Sequence, residues 1–219
     1  MKHVTKVYLI MSLSIICLTS CSNDDTIFGS GTMVSQLRDV QEFSRLSNTG
    51  TIDVTITHGD AQEVEIIADN NIVGFVKTEV NNGQLNLYLD DSYNYSGIQI
   101  RANIVLSNLT GIQNSGTGRI TANGIENNEF EIYNEGSGKI TLDGNTSNLT
   151  IKIIGSGDIS AFALNSENCD IDINGSGDTK VSCTENLTVK IEGSGDVYYK
   201  GFPEIDFTVN GSGQVIDFN

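Results

Sequence analysis

Apolar and polar residues alternate in the second half of the chain, in a pattern that repeats every 18 to 20 residues. Each repeat contains a triplet of glycine, a hydroxyl residue and glycine, and the triplets begin at Gly116, Gly136, Gly155, Gly175, Gly193 and Gly211. In the later repeats, apolar residues stand six, four and two positions before the first glycine, and others follow it by four and six. Alternation with a period of two predicts strands with one buried face. Each repeat is therefore predicted to hold two short strands joined through the triplet.

A repeat of about 20 residues is typical of a solenoid. Ile151, Ile171 and Val189 each stand four positions before a triplet, so they are predicted to stack in one inward column. Two further corners are predicted, one at small residues (Gly124, Gly144, Ala163, Cys183, Gly201) and one at asparagines that can form a ladder (Asn108, Asn148, Asn168, Asn186). We predict an all-β, single-domain parallel β-helix. Right-handed winding is favoured because the hexapeptide rhythm of left-handed β-helices is absent.

Before Gly116 the pattern is less regular. Asn82-Gly83 is a strong hairpin signal, and Asn48-Thr49-Gly50 resembles a degenerate triplet. Apolar stretches predict strands at 43–46, 52–56, 64–67, 73–80, 85–89 and 98–106. We predict that 33–219 form one domain, irregular and hairpin-containing to about residue 105 and built from regular coils over 106–219.

The N-terminus has the features of an export signal. Lys2 and Lys6 precede a mostly apolar stretch, 7–18, that is too short to span a bilayer. The sequence 18–21, Leu-Thr-Ser-Cys, matches a bacterial lipoprotein box, which predicts a signal peptide over 1–20 and lipid attachment, and hence membrane anchoring, at Cys21. The next residues are acidic and polar, so 21–32 are predicted to form a tether.

The start of this tether resembles the short acidic tags that send some lipoproteins of Gram-negative bacteria to the cell surface. We therefore predict an outer membrane lipoprotein, with the cell surface favoured over the periplasmic face. Removal of 1–20 takes away Lys2 and Lys6 but no acidic residue, so the formal net charge changes from −16 to −18. Nucleic acids and anionic lipid surfaces require clustered Lys or Arg, so a nucleic-acid partner is not expected.

Taken together, these features resemble the GIN-domain proteins, the "putative autotransporter adhesin head" family of lipoproteins. The resemblance covers roughly 29–219. The residues that carry it are Phe43-Ser44-Arg45-Leu46, the alternation over 50–56, His58-Gly59-Asp60, the stretch 79–85 and the Gly-Ser-Gly-Asp coils. It implies a β-helical fold and an envelope location, and it brings no established catalytic residues.

The sequence does not indicate an enzyme. His58 is the only histidine left after removal of 1–20, and nothing places a nucleophile beside it. No group of His and Cys has the spacing of a metal site. We predict no catalytic residues, no metal site and no cofactor.

Five residues are candidate contacts for a glycan or protein ligand. Asp158, Asp178 and Asp196 each follow a triplet directly and are predicted to form a column on the solenoid. A calcium ion between neighbouring carboxylates and a set of solvated turn residues both remain open, and the second is favoured. Tyr93 and Tyr95 lie in a polar loop, 90–97, whose composition is common in recognition surfaces, although local packing of the two rings is the simpler interpretation.

Cys169 and Cys183 are predicted to be free, buried thiols. Cys169 occupies an inward position in the column of Leu149 and Leu187, and Cys183 occupies the small-residue corner. Cys183 precedes Leu187 by four residues, about 13 Å of extended chain, whereas a disulfide requires Cα atoms no more than about 7 Å apart.

The favoured functional hypothesis is a non-enzymatic adhesion or recognition module. One alternative is a sensor or structural lipoprotein facing the periplasm. A less favoured alternative is a β-helical carbohydrate-active enzyme, because fold alone does not exclude that class. Short regular coils offer no long loops from which to build a cleft.

Overall fold

The computed structural model describes residues 26–219, which form seventeen strands and one 3-10 turn, Val73–Phe75. The strands are β1 (Thr26–Phe28), β2 (Met33–Leu37), β3 (Arg45–Asn48), β4 (Asp53–His58), β5 (Glu63–Asp69), β6 (Val76–Asn81), β7 (Gln84–Leu89), β8 (Asn94–Ser96), β9 (Ile100–Leu106), β10 (Gly111–Asn114), β11 (Ile120–Asn134), β12 (Ile140–Gly155), β13 (Ile159–Gly175), β14 (Thr179–Gly193), β15 (Val197–Lys200), β16 (Glu204–Gly211) and β17 (Val215–Asp217). Within this part of the chain, no helix has the length and apolar character needed to cross a bilayer.

The second half of the chain is a parallel β-solenoid, which confirms the predicted fold. β11 to β14 continue through the corners as strands of 15 to 17 residues, and each pairs in parallel with the next coil. Ile151 pairs with Ile171, and Ile171 with Val189, in the predicted register. All three side chains are buried, so the inward column is real and the core runs along the solenoid axis.

The glycine triplets are explained by how closely the coils approach one another. Gly175 lies over Gly155 with a φ of 149°, and a Cβ atom added there would overlap the carbonyl of Gly155. Gly136 lies over Gly116 in the same way. Backbone therefore stacks on backbone at this corner, and only glycine leaves room for it.

The first half belongs to the same sheet but is more irregular. β3 pairs in parallel with β10, and β4 with β11, so 45–58 form a coil beneath the regular ones. Gly50 lies beneath Gly116 and Ile52 beneath Gly118, so the degenerate triplet is Gly50-Thr51-Ile52. The predicted Asn48-Thr49-Gly50 is two residues too early, since Asn48 pairs with Asn114. Antiparallel pairs, β2–β5, β5–β9 and β6–β7, complete this end. Asn82 and Gly83 have φ values of 52° and 72°, as the predicted hairpin turn requires.

Two segments differ from the sequence-based predictions. The predicted strand at 73–80 begins as the 3-10 turn and becomes extended only at Val76. Within the predicted tether, β1 pairs in parallel with β8, and the Gly31 N–H donates to Asp69 Oδ1 at 2.7 Å. At least 26–31 therefore lie against the domain. The predicted signal peptide and Cys21 fall outside the described residues.

Three buried asparagines interrupt the aliphatic core. Asn48, Asn114 and Asn134 are fully buried and lie two positions before successive triplets. The following coils have isoleucine in the same row, since Asn134 pairs with Ile153. Asn114 Nδ2 donates to Asn134 Oδ1 at 3.0 Å, and Asn134 Nδ2 donates to the Gly138 carbonyl at 3.2 Å. The core of the early coils is therefore partly held together by side-chain hydrogen bonds.

The outer asparagine ladder forms over Asn148, Asn168 and Asn186, but it does not reach Asn108, because Asn148 pairs with Glu129 in the preceding coil. Asn168 Nδ2 donates to Asn148 Oδ1 at 3.1 Å, and Asn186 Nδ2 donates to Asn168 Oδ1 at 2.7 Å. These amides lie on the surface at one corner of consecutive coils. Their hydrogen bonds stabilise the register between consecutive coils on the outer surface of the solenoid.

The cysteines are free thiols and are buried, as predicted, but Cys183 does not stack on Ala163 as the predicted small-residue corner requires. The register shifts between Ala161 and Asn165, so Cys183 pairs with Ser166 rather than with Ala163. The coil of β14 is shorter than the coil of β13, and the shift takes up the difference. Cys183 consequently points inward, where its Sγ lies 3.4 Å from the carbonyl of Glu167, two residues before Cys169.

Candidate ligand-binding face

The outward face of the strands that follow the triplets changes character along the solenoid. Its early positions are small and hydroxylated, as at Thr121, Thr141 and Ser160, which are paired in register. The same row continues as Lys180 and Tyr198. Large aromatic and cationic side chains are therefore confined to the last coils.

Five of these side chains form one group, Phe162, Lys180, Tyr198, Lys200 and Phe218, which we call the aromatic–lysine cluster. The Phe162 and Phe218 rings are stacked, with centroids 5.4 Å apart and an interplanar angle of 24°. Tyr198 meets Phe218 edge-on at 6.0 Å. Such ring pairs contribute roughly 0.5–1.5 kcal/mol beyond the area they bury.

Both lysines lie over aromatic rings. Lys200 Nζ is 4.7 Å from the centroid of Phe162 and 5.9 Å from that of Phe218. Lys180 Nζ is 5.7 Å from the centroid of Tyr198. At these distances an ammonium group is attracted by the ring quadrupole. The two charges are therefore held at the rings although both lysines are exposed.

The cluster adjoins a row of carboxylates. The Tyr198 hydroxyl donates to Asp196 Oδ2 at 3.3 Å. Desolvation and the nearby charges of Asp196 and Asp178 raise the pKa of Tyr198, so its hydroxyl remains a neutral donor at physiological pH. The surface thus combines apolar ring faces, two cations and hydrogen-bonding groups, which suits binding rather than proton transfer.

The predicted aspartate column exists, and its oxygens serve the fold. The Asp178 N–H donates to Asp158 Oδ1 at 3.1 Å, and the Asp196 N–H donates to Asp178 Oδ1 at 2.9 Å. The Gln214 N–H continues the row by donating to Asp196 Oδ1 at 2.9 Å. Each carboxylate therefore ties its coil to the next. Over residues 26–219, no group of three or more His, Cys, Asp or Glu side chains is arranged to hold a metal ion.

Tyr93 and Tyr95 lie in the N-terminal half and pack around Phe75. The Phe75 centroid is 5.3 Å from that of Tyr93 and 5.9 Å from that of Tyr95. Tyr95 also packs against the core, whereas Tyr93 is 41% exposed. In the described residues their ring contacts are with Phe75 and with each other. The structure therefore does not join them to the aromatic–lysine cluster.

A signal for the aromatic–lysine cluster is present in the outward positions of the repeat, which the sequence-based predictions left unaligned. Phe162, Lys200 and Phe218 each stand seven positions after the first glycine of a triplet, and Lys180 and Tyr198 stand five positions after one. Aligning the outward positions as well as the inward ones places all five on one face. Ser182 occupies the seventh position in the intervening coil, where it is too small to cover the rings.

The stacked coils and their aliphatic core define the chain as a parallel β-solenoid protein. The family model described as "putative auto-transporter adhesin, head GIN domain" matches residues 42–203. The chain belongs to this family, as the sequence motifs indicated. No curated protein sequence matches the chain.

Solved structures show the same fold. The crystal structure of a "putative adhesin" from Bacteroides fragilis has a TM-score of 0.72 at 22% identity, covering 88% of this chain and all of that one. A "putative adhesin" and a "putative lipid binding protein" from Parabacteroides distasonis each have a TM-score of 0.58 at 22% identity, covering 89% of this chain and all of theirs. At these identities the likeness establishes the fold alone.

Proposed function

We propose that this protein is a non-enzymatic adhesion module of the cell envelope that binds a glycan through the aromatic–lysine cluster. It is anchored in the outer membrane by a lipid at Cys21 and faces outward. The observation that supports this is the cluster itself, in which stacked rings and two held ammonium groups stand on the face of a strongly acidic chain.

The chemistry of the cluster fits a sugar ring better than a protein surface. Aromatic faces stack on the flat C–H faces of pyranose rings, and Lys180 and Lys200 can donate to hydroxyl or carboxylate oxygens. Stable protein interfaces use about 20–30 residues a side, many more than the cluster supplies. A glycan with some negative charge would pair with both lysines while its ring lay on Phe218, which is 52% exposed.

The position of the cluster supports binding without catalysis. Four of its members lie on the outward side of strands β13, β14 and β15, and Phe218 directly follows β17, whereas most substrates bind in a deep cleft. His58 lies at the end of β4 in the first half of the chain, two residues before Asp60. The proposed ligand would bind the outer surface of the last coils through complementary shape and charge.

A glycan array followed by calorimetry tests the binding proposal. The variant pair is Lys200→Gln with Phe218→Ala, and the matched control is Lys152→Gln with Tyr133→Ala. The control removes another cation–π pair, in which Lys152 Nζ is 5.8 Å from the Tyr133 centroid. We expect the cluster variant to lose at least about tenfold in affinity, about 1.4 kcal/mol, and the control to bind as wild type does. Equal binding by all three proteins, or binding only to proteins, would contradict the proposal.

Anchoring and orientation are tested separately in cells. Cys21→Ser is expected to move the protein from the detergent phase to the aqueous phase, because the lipid is its proposed anchor. Protease added to intact cells is expected to digest the wild-type protein. Protection until the outer membrane is opened would instead favour a periplasmic sensor or structural lipoprotein.

A further inference from the structure

Cys169 and Cys183 meet inside the solenoid at a corner between two coils. Cys169 lies on β13 in an inward column, paired with Leu149 on one side and Leu187 on the other. Cys183 lies on β14, in the coil that contains Leu187. Both side chains are buried, with 3% and 0% exposed.

The contacts of Cys183 show how it reaches Cys169. Its Sγ donates to the Asn186 carbonyl at 3.0 Å and lies 3.4 Å from that of Glu167. Glu167 precedes Cys169 by two residues, and Asn186 directly precedes Leu187. The Cys183 thiol therefore lies between the backbone that leads into Cys169 and the backbone that leads into Leu187, the register partner of Cys169.

We infer that Cys169 and Cys183 form a preorganised dithiol, which a disulfide-bearing oxidant of the cell envelope converts into an intramolecular cross-link between two coils. Cys169 and Cys183 are not register partners, since Cys183 pairs with Ser166 and Cys169 with Leu187. The corner nevertheless brings the Cys183 Sγ to 3.4 Å from the carbonyl of Glu167, two residues before Cys169, and a disulfide requires Cα atoms roughly 4.4–6.8 Å apart. The cross-link would enclose the corner formed by the triplet at Gly175. The export that the proposed function requires would place the chain where such oxidants act.

The reaction balances as a thiol–disulfide exchange. One cysteine thiolate attacks a sulfur of the oxidant's disulfide, which forms a mixed disulfide and releases one thiolate of the oxidant. The second cysteine then attacks the mixed disulfide and displaces the other oxidant thiolate. The two cysteines lose two protons and two electrons, and the oxidant leaves as a dithiol that has taken up both.

The environment of the pair limits the exchange inside the closed corner, because the thiolate is the nucleophile. Contact with Cys183 and burial raise the pKa of Cys169, and the Sγ of Cys183 lies against two carbonyl oxygens, which favour its thiol form. Burial limits this reaction to a folding chain or to a transient opening of the corner.

A redox titration of the mature chain with Cys21→Ser tests the inference, because only Cys169 and Cys183 then remain as thiols. The protein is equilibrated with defined ratios of reduced and oxidised glutathione, once folded and once in denaturant. Each titration starts from both the reduced and the oxidised protein, so slow access to the buried thiols does not obscure the endpoint. Acid quenching, alkylation and mass spectrometry then count the free thiols.

We expect the equilibrium constant for the intramolecular disulfide to be at least about tenfold larger in the folded protein than in denaturant. By linkage, the oxidised protein then melts at a higher temperature than the reduced one. Cys169→Ser and Cys183→Ser should yield only mixed disulfides with glutathione. An equal or smaller constant in the folded protein would show that the fold keeps the thiols apart, and would overturn the inference.

Discussion

Asn114 donates a hydrogen bond from Nδ2 to Oδ1 of Asn134, 3.0 Å away, at a depth where neither side chain is exposed. Asn48 extends the row by donating to Asn114 Oδ1 at 3.3 Å. A buried amide is costly unless it is hydrogen-bonded, so this row specifies which early coil stacks on which.

Replacing Asn134 with isoleucine, the residue found in the next coil, is expected to destabilise the protein although it adds apolar surface. The change leaves Asn114 Nδ2 without its best acceptor, since the Gly116 carbonyl is 3.5 Å away. We expect a loss of about 1–3 kcal/mol, measured by urea unfolding. The double variant Asn114→Ile with Asn134→Ile should cost less than the sum of the single changes. Full additivity would show that the two amides do not interact.

Ile171→Asp tests the inward column. The carboxylate would lie between Ile151 and Val189 with no cation beside it, and we expect a loss of more than about 4 kcal/mol. The matched control is Thr208→Asp, which places the same side chain on the outer face opposite Lys190. This control should change stability by less than about 0.5 kcal/mol. Similar melting temperatures for the two variants would disprove the register.

The stability that the aspartate column contributes is expected to depend on the acceptor oxygen of each side chain and not on its negative charge. Asp178→Asn keeps an oxygen for the Asp196 N–H and removes a carboxylate that repels its neighbours by roughly 1 kcal/mol in water. Asp178→Ala removes both, at a cost of about 0.5–1.5 kcal/mol. We therefore expect the melting temperature of Asp178→Asn to equal or exceed that of wild type, and that of Asp178→Ala to be the lowest of the three. Calcium should leave all three unchanged, whereas stabilisation of wild type alone by calcium would reveal a cation site.

Glu65 should make part of the stability of the N-terminal half depend on pH. Hydrogen bonds from Ser35 and Asn103 lower its pKa, and that from Asn103 Nδ2 is 2.8 Å long. Because the pKa is lower in the folded state than in the unfolded state, this stabilisation is complete above the ordinary carboxyl pKa. It is lost as the pH falls through the lowered pKa of the folded state. Melting temperatures of wild type and Glu65→Gln should differ at neutral pH and converge in acid, and a gap that does not change with pH would contradict this.

The sequence predicted the regular coils well because each inward position is supported by the same position in the coils on either side. Ile171 is an example, since its burial follows from a repeat that is visible in the sequence alone. The 3-10 turn at Val73–Phe75 has no such repeat to support it, and its apolar residues are also compatible with a strand.

The candidate site was predicted less well, for a physical reason. Asp178 and Tyr93 are conspicuous as polar or aromatic residues in turns, but turns are where side chains satisfy local hydrogen bonds and ring contacts. Phe162 and Phe218 are 56 positions apart in the chain and become neighbours only when the coils stack. The register shift between Ala161 and Asn165 likewise arises from a small difference in length between two coils. This shift changes the pairing partner of Cys183, which the repeat spacing alone did not predict.

Gly155, Gly175 and Gly193 pair in successive coils without any shift at the triplet, so the chain passes this corner in the same way each time. A segment running from one such glycine to the residue before the next is then a unit that can be lost or duplicated without altering the path of its neighbours. Removal of 155–174 would shorten the rod by one step of about 4.8 Å. In this way evolution can adjust how far the last coils stand from the N-terminal end of the solenoid without redesigning either end.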